Sequence, residues 1–301
     1  TTTTFGMDTE TLSKRQIRRK HLKFDIKYFL STRLGGYPAE LNSRLKSYWG
    51  SPHWPEKKFL IFSSGRSGST LLVELLNNHP LLYCDDEILK RKLFQPGALI
   101  EARAKLSDAA IYGFKLLSYQ LRDIQTGILD KPGFLAKLVD KDYKIIYLRR
   151  ENKFFQALSL IRAISRSKWH TTGKPRLNNH QLELDVKKLD ELLNNLYRLD
   201  EFEKELMHNL PHLKITYEED LLNNQHHQIT VNKVSEYLNI KPVGSKCKLK
   251  KITSKVPREL ISNREEVSRF LENSEYHFLS GWSEYSEESS VGTDRQTNCN
   301  F

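Results

Sequence analysis

Short apolar runs recur along the chain, separated by longer segments in which apolar and polar residues mix. Mostly apolar runs occupy 58–63 (KFLIFS) and 144–149 (KIIYLR), and similar runs occupy 111–116 and 214–217. An apolar run of about four to eight residues is typical of a strand that is buried on both faces. We therefore predict strands at these places and a shorter strand at 81–83.

Helical periodicity fills the intervals between these predicted strands. Apolar residues recur at helical spacing over 69–78, over roughly 152–167 and over 182–208. The leucines of 182–208 share one broad face, as expected for a helix that packs on a core. Strands that alternate with helices indicate βαβ units and a parallel sheet. The predicted fold class is therefore α/β.

The chain divides into three parts by composition. Residues 1–56 combine a charged segment of helical spacing with prolines that interrupt it, which predicts a helical and loop lead-in packed on the domain. Residues 57–282 are predicted to form a single domain. The segment 283–301 is polar throughout, which is typical of a disordered tail.

Charge narrows the class of partner. The chain has 48 basic and 37 acidic residues, a net charge of +11. This excess favours an anionic partner, such as a nucleic acid, a membrane surface or a polyanionic small molecule. The sequence contains no helix-turn-helix, zinc or RNA-binding pattern, so specific nucleic-acid binding is not expected. The positive charge also predicts peripheral contact with a membrane surface.

Cysteine usage and hydropathy predict the compartment. The three cysteines are widely spaced and odd in number, which favours neither a disulfide framework nor a zinc site. No signal-peptide core follows the basic start, and no apolar stretch reaches the roughly 18 residues of a spanning helix. A cytoplasmic location is predicted, with an anchor upstream of the given chain as an open alternative.

The loop after the first predicted strand, SSGRSGSTLL, is rich in groups that bind anions. Its central part, residues 65–70, contains two glycines, one arginine and three hydroxyl side chains: Gly65, Arg66, Ser67, Gly68, Ser69 and Thr70. Glycines let the backbone approach a ligand, and the N–H groups and dipole of the following helix favour negative charge. The loop therefore predicts a phosphate or sulfate site. An ordinary glycine-serine turn that caps a helix is the alternative.

The nucleotide-triphosphate version of such a loop requires G-x-x-x-x-G-K-[ST]. When the second glycine is aligned with Gly68, Ser63 stands at the first glycine position and Ser69 at the lysine position. The residues that would hold a γ-phosphate are therefore missing, and a tetrahedral anion without a metal ion is the better prediction.

This loop resembles the 5′-phosphosulfate loop of sulfotransferases that use 3′-phosphoadenosine 5′-phosphosulfate (PAPS). It is most similar to the bacterial carbohydrate type, including nodulation-factor and trehalose sulfotransferases, which have R-S-G-S-[TS]-L-L after the first strand. The resemblance implies a P-loop-like parallel β-sheet flanked by helices, a bacterial cytoplasmic enzyme, 3′-phosphoadenosine 5′-phosphate (PAP) as product and no required metal. It also implies that residues 66–70 hold the 5′-phosphosulfate.

A second strand-turn-helix segment, 143–163, resembles the family's 3′-phosphate site, where a strand-end arginine and a helical serine bind the phosphate. Arg149 and Arg150 stand at the strand end, and Ser159 follows nine residues after Arg150. This spacing is one residue longer than the family's, so the choice between the arginines stays open. A solvated arginine pair is the alternative.

Two later segments resemble the family more weakly. A basic segment with Lys250, Lys251 and Arg258 is similar to the loop that closes over the cofactor before the final helix, although lysine runs are usually solvated. The stretch 215–222 (ITYEEDLL) is similar to the family's Y-E-D-L stretch after a late core strand. We expect a structural role for it.

The acidic stretch LLYCDDEIL places carboxylates where open α/β sheets bind their ligands. Transfer to a hydroxyl requires a group that accepts its proton. The related carbohydrate sulfotransferases use a glutamate at this place, and Glu87 matches it, ahead of Asp85 and Asp86. A solvent-facing acidic turn is the alternative, and His170 is the second choice of base.

Two further features bear on the acceptor. Lys115 lies at the end of a predicted buried strand, where an unpaired lysine is costly. An anion in the site would pair it, and the family carries a similar G-F-K, so the resemblance implies that Lys115 contacts the sulfuryl group or the acceptor carboxylates. A lysine that reaches solvent at the strand end is the alternative. The basic loop 165–176 contains Trp169 and His170, which predicts a sugar-binding surface, with a packed tryptophan as the alternative.

Together these residues predict in-line transfer of a sulfuryl group from PAPS to a hydroxyl of a sugar, glycolipid or other small acceptor, with a carboxylate general base. A phosphoryl transferase is the first rival, and the missing loop lysine argues against it. A nucleic-acid-binding protein without enzymatic activity is the second rival, favoured by charge alone.

Overall fold

A computed structural model of the protein describes residues 37–49, 54–169, 181–244 and 260–284. Within them lies a five-stranded sheet with strand order β2-β3-β1-β4-β5. The strands are β1 (Lys57–Ser63), β2 (Leu82–Glu87), β3 (Ile111–Leu117), β4 (Tyr143–Arg149) and β5 (His212–Thr216). Every neighbouring pair is parallel. The predicted α/β class with a parallel sheet is confirmed.

Helices follow the strands, as the alternating pattern predicts. They are α1 (Tyr37–Trp49), α2 (Ser69–Leu76), α3 (Pro96–Lys105), α4 (Lys131–Val139), α5 (Lys153–Trp169), α6 (Val186–Met207), α7 (His227–Leu238) and α8 (Arg264–Glu272). The π-helical turns Gln120–Ile124 and Tyr217–Leu221 and the 3-10 turns Asn224–His226 and His277–Glu284 complete the described elements. None of the described helices combines the length and apolar character needed to cross a bilayer.

The central strand shows why its sequence is apolar without alternation. Leu60 and Phe62 belong to one buried apolar cluster, and Phe59 and Ile61 belong to the cluster on the other face. Successive side chains of a strand point to opposite faces. A strand covered on both faces therefore needs apolar residues at every position, and this is the pattern from which β1 was predicted.

A third apolar cluster positions α5, the helix that carries Ser159. Phe154 of α5 packs with Leu189 of α6 and Val267 of α8, and all three are fully buried. This helix therefore has a fixed position relative to the end of β4, from which it begins.

Helix α1, the described part of the predicted lead-in, contacts the segment before α3. The carboxylate of Glu40, only 3% exposed, accepts hydrogen bonds from the backbone N–H groups of Phe94 at 3.0 Å and Gln95 at 2.8 Å. These groups precede α3, so Glu40 satisfies donors that the helix start leaves unpaired. Residues 1–36 and 285–301, which hold most of the predicted lead-in and tail, lie outside the described residues.

Candidate functional site

The carboxyl ends of the parallel strands meet at one edge of the sheet, and the predicted site residues gather there. Those within the described residues are Arg66, Ser67, Gly68, Ser69, Thr70, Glu87, Lys115, Arg149, Arg150 and Ser159. Each lies at the end of β1 to β4 or on the helix that follows. His170 and Lys251 lie outside the described residues.

The loop after β1 has an unusual backbone. Arg66 has φ 63° and Gly68 has φ 92°, whereas Ser67 between them has an ordinary negative φ. A left-handed conformation costs a residue with a side chain about 1–3 kcal/mol, so the surrounding structure must hold Arg66 in it. A Cβ atom on Gly68 would lie 2.6 Å from Cδ2 of Tyr217, so only glycine fits there. When residues of positive and negative φ alternate along a loop, as they do at residues 66–68, successive N–H groups point to the same side and form an anion-binding nest.

The start of α2 adds donors to this loop. Gly68 occupies the N-cap position, and no side chain of the described residues caps this end. The first N–H groups of a helix have no partner within it. The hydroxyl of Ser67, predicted as a ligand donor, is buried and donates to the carbonyl oxygen of Ser64 at 2.8 Å. Ser67 therefore braces the loop in this structure.

A β-bulge places two carboxylates on one lysine. The pairing between β2 and β3 shifts after Asp85, so that Glu87, and not Asp86, is paired with Lys115. The Nζ atom of Lys115 lies 2.5 Å from Oδ1 of Asp86 and 3.2 Å from Oε1 of Glu87. A regular strand would send neighbouring side chains to opposite faces, and the bulge removes that alternation.

Lys115 also links the acidic strand end to the loop. Its side chain is only 2% exposed, and Nζ donates to Oγ1 of Thr70 on α2 at 3.4 Å. Burial of an ammonium group is costly unless it is paired and hydrogen-bonded. The two carboxylates and the hydroxyl meet that requirement, and they hold the positive charge between α2 and the end of β2.

The second carboxylate oxygen of Glu87 is held from the other side. Oε2 accepts a hydrogen bond from Nε2 of Gln120 at 2.7 Å and one from the hydroxyl of Tyr119 at 3.4 Å. The Glu87 side chain remains 24% exposed. An oriented carboxylate that solvent can reach, beside a cation, is able to accept a proton from a bound hydroxyl.

Asp85 has a different role. Its carboxylate is paired with the guanidinium of Arg103 at 2.7 and 3.0 Å and accepts hydrogen bonds from the hydroxyls of Tyr112 and Tyr83. Burial, together with the Asp85 charge, raises the pKa of Tyr112 far above its ordinary value. These four bonds use the acceptor capacity of Asp85 to anchor α3. Among the described residues, no group of three or more histidine, cysteine or acidic side chains is placed to hold a metal ion.

The two arginines at the end of β4 have different partners. Arg149 donates to both oxygens of Asp200 on α6 at 2.9 and 3.0 Å, and Lys153 lies 2.7 Å from the same carboxylate. Burial acts to raise the pKa of Asp200, but these cationic donors outweigh it and lower the pKa to about 2. Arg149 is therefore engaged in an ion-pair network between β4 and α6.

We expect Asp200→Asn to lower the free energy of unfolding at neutral pH by roughly 3–5 kcal/mol, because it removes the counter-charge of a buried cation. The folded pKa of about 2 lies below the ordinary value of 3.8, so the Asp200 contribution is complete above that value. It is lost as pH falls towards the folded pKa. Urea unfolding should therefore show the two proteins converging below about pH 4. A difference that stays constant in acid would contradict this assignment.

Arg150 lies on the loop side. Its NH1 group donates to the carbonyl oxygen of Arg66 at 3.2 Å, and its guanidinium stacks over the Tyr217 ring with a 4.5 Å separation. Arg66 in turn donates from Nε to Oγ of Ser159 at 3.1 Å. The structure thus brings the loop, Arg150 and Ser159 together. This geometry favours Arg150 over Arg149 as the phosphate ligand.

Two supporting residues were not identified from the sequence. The carboxylate of Glu218 accepts hydrogen bonds from the N–H groups of Glu151 at 3.0 Å and Asn152 at 3.1 Å, before the start of α5. Gln156 on α5 donates to the loop after β1. Both lie within segments that resemble the family, Y-E-D-L and Q-A-x-S, but their partners are distant in sequence.

Solved structures with a similar chain path include two sulfotransferases. A sulfotransferase from Alicyclobacillus acidocaldarius has 15% identity and a TM-score of 0.43, over 77% of this chain and 95% of that one. Mouse sulfotransferase SULT7A1, complexed with PAP, has 14% identity and a TM-score of 0.39, over 81% of this chain and 95% of that one. No protein-family model and no curated protein matches this chain. At TM-scores this low, the likenesses carry no weight for function.

Proposed function

We propose that this protein is a PAPS-dependent sulfotransferase that acts on a hydroxyl of a sugar, glycolipid or other small acceptor. The observation that carries the proposal is the hydrogen bond from Arg66 to Ser159. It joins the loop that resembles a 5′-phosphosulfate site to the helix that resembles a 3′-phosphate site. Two adjacent anion sites suit a nucleotide with phosphates on two positions of one ribose. A nucleoside triphosphate is disfavoured because Ser69 stands where its binding loop requires a lysine.

Each part of the site has a role in holding such a nucleotide. The N–H groups of 66–70 and the start of α2 would bind the 5′-phosphosulfate, because helix starts favour anions. Arg150 and Ser159 would bind the 3′-phosphate through charge-assisted hydrogen bonds. Arg149 has an indirect role: its ion pair with Asp200 fixes the end of β4 against α6. Lys251 stays a predicted further contact.

The chemistry of the bound PAPS is the donation of its sulfuryl group: the acceptor oxygen forms a bond to sulfur as the bond from sulfur to the phosphate oxygen breaks. Glu87 accepts the proton of the acceptor hydroxyl at a carboxylate that Gln120 and Lys115 orient. The Lys115 ammonium is close to both Glu87 and Thr70. It stabilises negative charge that develops on the sulfuryl group as that group passes from the loop to the acceptor oxygen beside Glu87.

The acceptor side is proposed from the sequence. Residues 165–169 of the segment predicted as a basic loop belong to α5, and residues 170–176 lie outside the described residues. The segment 165–176 is the proposed sugar surface, with His170 as the second candidate base. A net charge of +11 exceeds what one bound nucleotide would neutralise, so an anionic acceptor or a membrane surface would use the remainder.

The rival functions are separated by ligand response. In a thermal-shift assay we expect PAP to stabilise the protein more than Mg-ATP does, since a ligand that binds the folded state stabilises it in proportion to its affinity. Incubation of a metabolite extract with enzyme and PAPS should then yield a product with an added sulfuryl mass. Stronger stabilisation by Mg-ATP would indicate a phosphoryl transferase. DNA affinity that falls steeply with salt, without a PAP response, would indicate a nucleic-acid-binding protein.

Ser159→Ala should selectively reduce the preference for a 3′-phosphate. Loss of a hydrogen bond to a charged group costs about 1.5–3 kcal/mol, so PAP affinity should fall roughly tenfold or more. Affinity for adenosine 5′-phosphate, which lacks the 3′ group, should fall much less, since this nucleotide loses only the support that Ser159 gives to Arg66. Calorimetric titration of both nucleotides measures the ratio, and equal losses for the two would show that Ser159 is not at the 3′-phosphate.

A further inference from the structure

Gln156 is a buried polar residue that the predicted chemistry does not use. It lies on α5, is fully buried, and donates from Nε2 to Oγ of Ser64 at 2.9 Å and to the carbonyl oxygen of Gly65 at 2.7 Å. Its amide oxygen has no hydrogen-bond partner among the described residues. A half-satisfied buried amide is costly, so its NH₂ group must contribute something that an apolar side chain would not.

The bond to Gly65 determines where the next N–H group points. A trans peptide unit is planar, so the carbonyl of Gly65 and the N–H of Arg66 point in opposite directions. A carbonyl that is held against α5 therefore turns the Arg66 N–H away from α5. The left-handed φ of 63° at Arg66 needs such external support, because the chain does not favour it locally.

Neighbouring carbonyls of the loop are held in the same way. Ser67 donates to the carbonyl of Ser64, and Arg150 donates to the carbonyl of Arg66. Carbonyl oxygens repel an anion, and the nest can bind one only if these oxygens face elsewhere. Gln156 is the member of this set that reaches the loop from α5 without itself carrying a charge.

We propose that Gln156 is the positioning residue that orients the Gly65–Arg66 peptide towards the 5′ anion of the nucleotide. This inference rests on the proposed function for the identity of the anion. It gives two residues of one helix face separate tasks. Gln156 prepares the 5′ site, whereas Ser159, three residues later, acts at the 3′ site.

The test is Gln156→Met, which keeps the length of the side chain and removes the donor. Affinities of PAP, adenosine 5′-phosphate and adenosine 3′-phosphate are measured by calorimetry. We expect PAP and adenosine 5′-phosphate to bind roughly 10- to 100-fold more weakly, since an oriented buried hydrogen bond is lost. Adenosine 3′-phosphate should be unaffected. Ser159→Ala is the matched control and should show the reverse selectivity. Equal loss for both mononucleotides, or no loss, would overturn the inference.

Gln156→Glu provides a second readout that a purely structural role would not move. An ionised carboxylate cannot donate to Gly65, whereas a protonated carboxyl group can. The ratio of variant to wild-type PAP affinity should therefore recover as pH falls from about 8 to about 5, since burial favours the protonated form. A ratio independent of pH would contradict a donor role, including in the case that Gln156→Met fails to fold.

Failure of the proposed function would look different. A wild-type protein that binds PAP no better than adenosine 5′-phosphate would remove the 3′ site and leave the loop in place. Thermal stabilisation by inorganic sulfate, which needs no nucleotide, then tests Gln156 alone. Sulfate at high concentration stabilises folded proteins generally, so the readout is saturable stabilisation at low sulfate concentration, which should appear in the wild type and not in Gln156→Met. Equal stabilisation of both proteins by sulfate would overturn the positioning role.

Discussion

Glu87→Gln is expected to reduce the turnover rate by roughly 10²–10⁴-fold, the usual contribution of general base catalysis, and to leave PAP binding nearly unchanged. The amide keeps the shape of the side chain but cannot accept the proton of the acceptor hydroxyl. Glu87 contacts Lys115, Gln120 and Tyr119 and no residue of the predicted nucleotide loop, which is why nucleotide affinity should survive. Steady-state turnover and PAP titration measure the two effects.

Asp86→Asn is a matched control, because Asp86 and Glu87 both contact Nζ of Lys115. Each substitution removes one negative charge from that lysine, and only one removes the proposed base. Asp86 is 72% exposed, so its loss should be much milder.

Two outcomes would change the assignment of Glu87. Near-normal turnover of Glu87→Gln would move the base to His170 or Asp86 and leave the nucleotide site standing. Asp85 would be a poor substitute, because Arg103, Tyr112 and Tyr83 already occupy its carboxylate. Loss of PAP binding would instead show that Glu87 acts on the loop through Lys115 and Thr70.

Arg66→Ala should weaken PAP binding by roughly 10- to 150-fold, since a charge-assisted hydrogen bond to a phosphate is worth about 1.5–3 kcal/mol. The substitution also removes the link between the loop and Ser159. The effect should therefore reach both phosphate sites. Calorimetric titration of PAP against the wild type measures it.

Arg66→Gly separates the side chain from the backbone. Glycine adopts a left-handed conformation without strain, so it keeps the φ of 63° that Arg66 shows and removes only the guanidinium. PAP affinity should fall as far as in Arg66→Ala. Arg66→Lys, which keeps the charge without the planar fork of donors, should lie between. Unchanged affinity in all three variants would exclude Arg66 from the nucleotide site.

The sequence by itself was sufficient for the sheet and for the edge at which the site lies. Short apolar runs such as 58–63 are typical of strands covered on both faces, and helical segments between them favour parallel pairing, which the structure shows. Parallel strands place their carboxyl ends together. The strand-loop-helix at 59–80 therefore predicted an anion site before any contact was known.

Some elements could not be predicted from hydrophobic periodicity. The second strand was predicted at 81–83 but runs over Leu82–Glu87, because its polar end is stabilised by Arg103 and Lys115 from other elements. Helices α1, α3, α4 and α7 were not predicted at their positions. Pro38, one of the prolines expected to interrupt a helix, is the second residue of α1, where proline is tolerated because the first N–H groups of a helix have no partner within it. The other three helices are short and have weak local sequence signals. The hydrophobic pattern of a segment indicates which of its residues are buried, but it does not indicate which distant polar residues the segment contacts.

Only the tertiary structure decided which of several neighbouring polar residues faces the site. The sequence left the choice between Arg149 and Arg150 open, because adjacent residues have nearly the same local signal, and it ranked Glu87 ahead of Asp85 only through the resemblance to the family. The choice depends on partners far along the chain, such as Asp200 for Arg149. The role of Gln156 depends on its hydrogen bond to Gly65, which lies 91 positions away in the sequence. Residue types and spacing therefore determined the chemistry available at the sheet edge, and packing determined the side chains that can perform it.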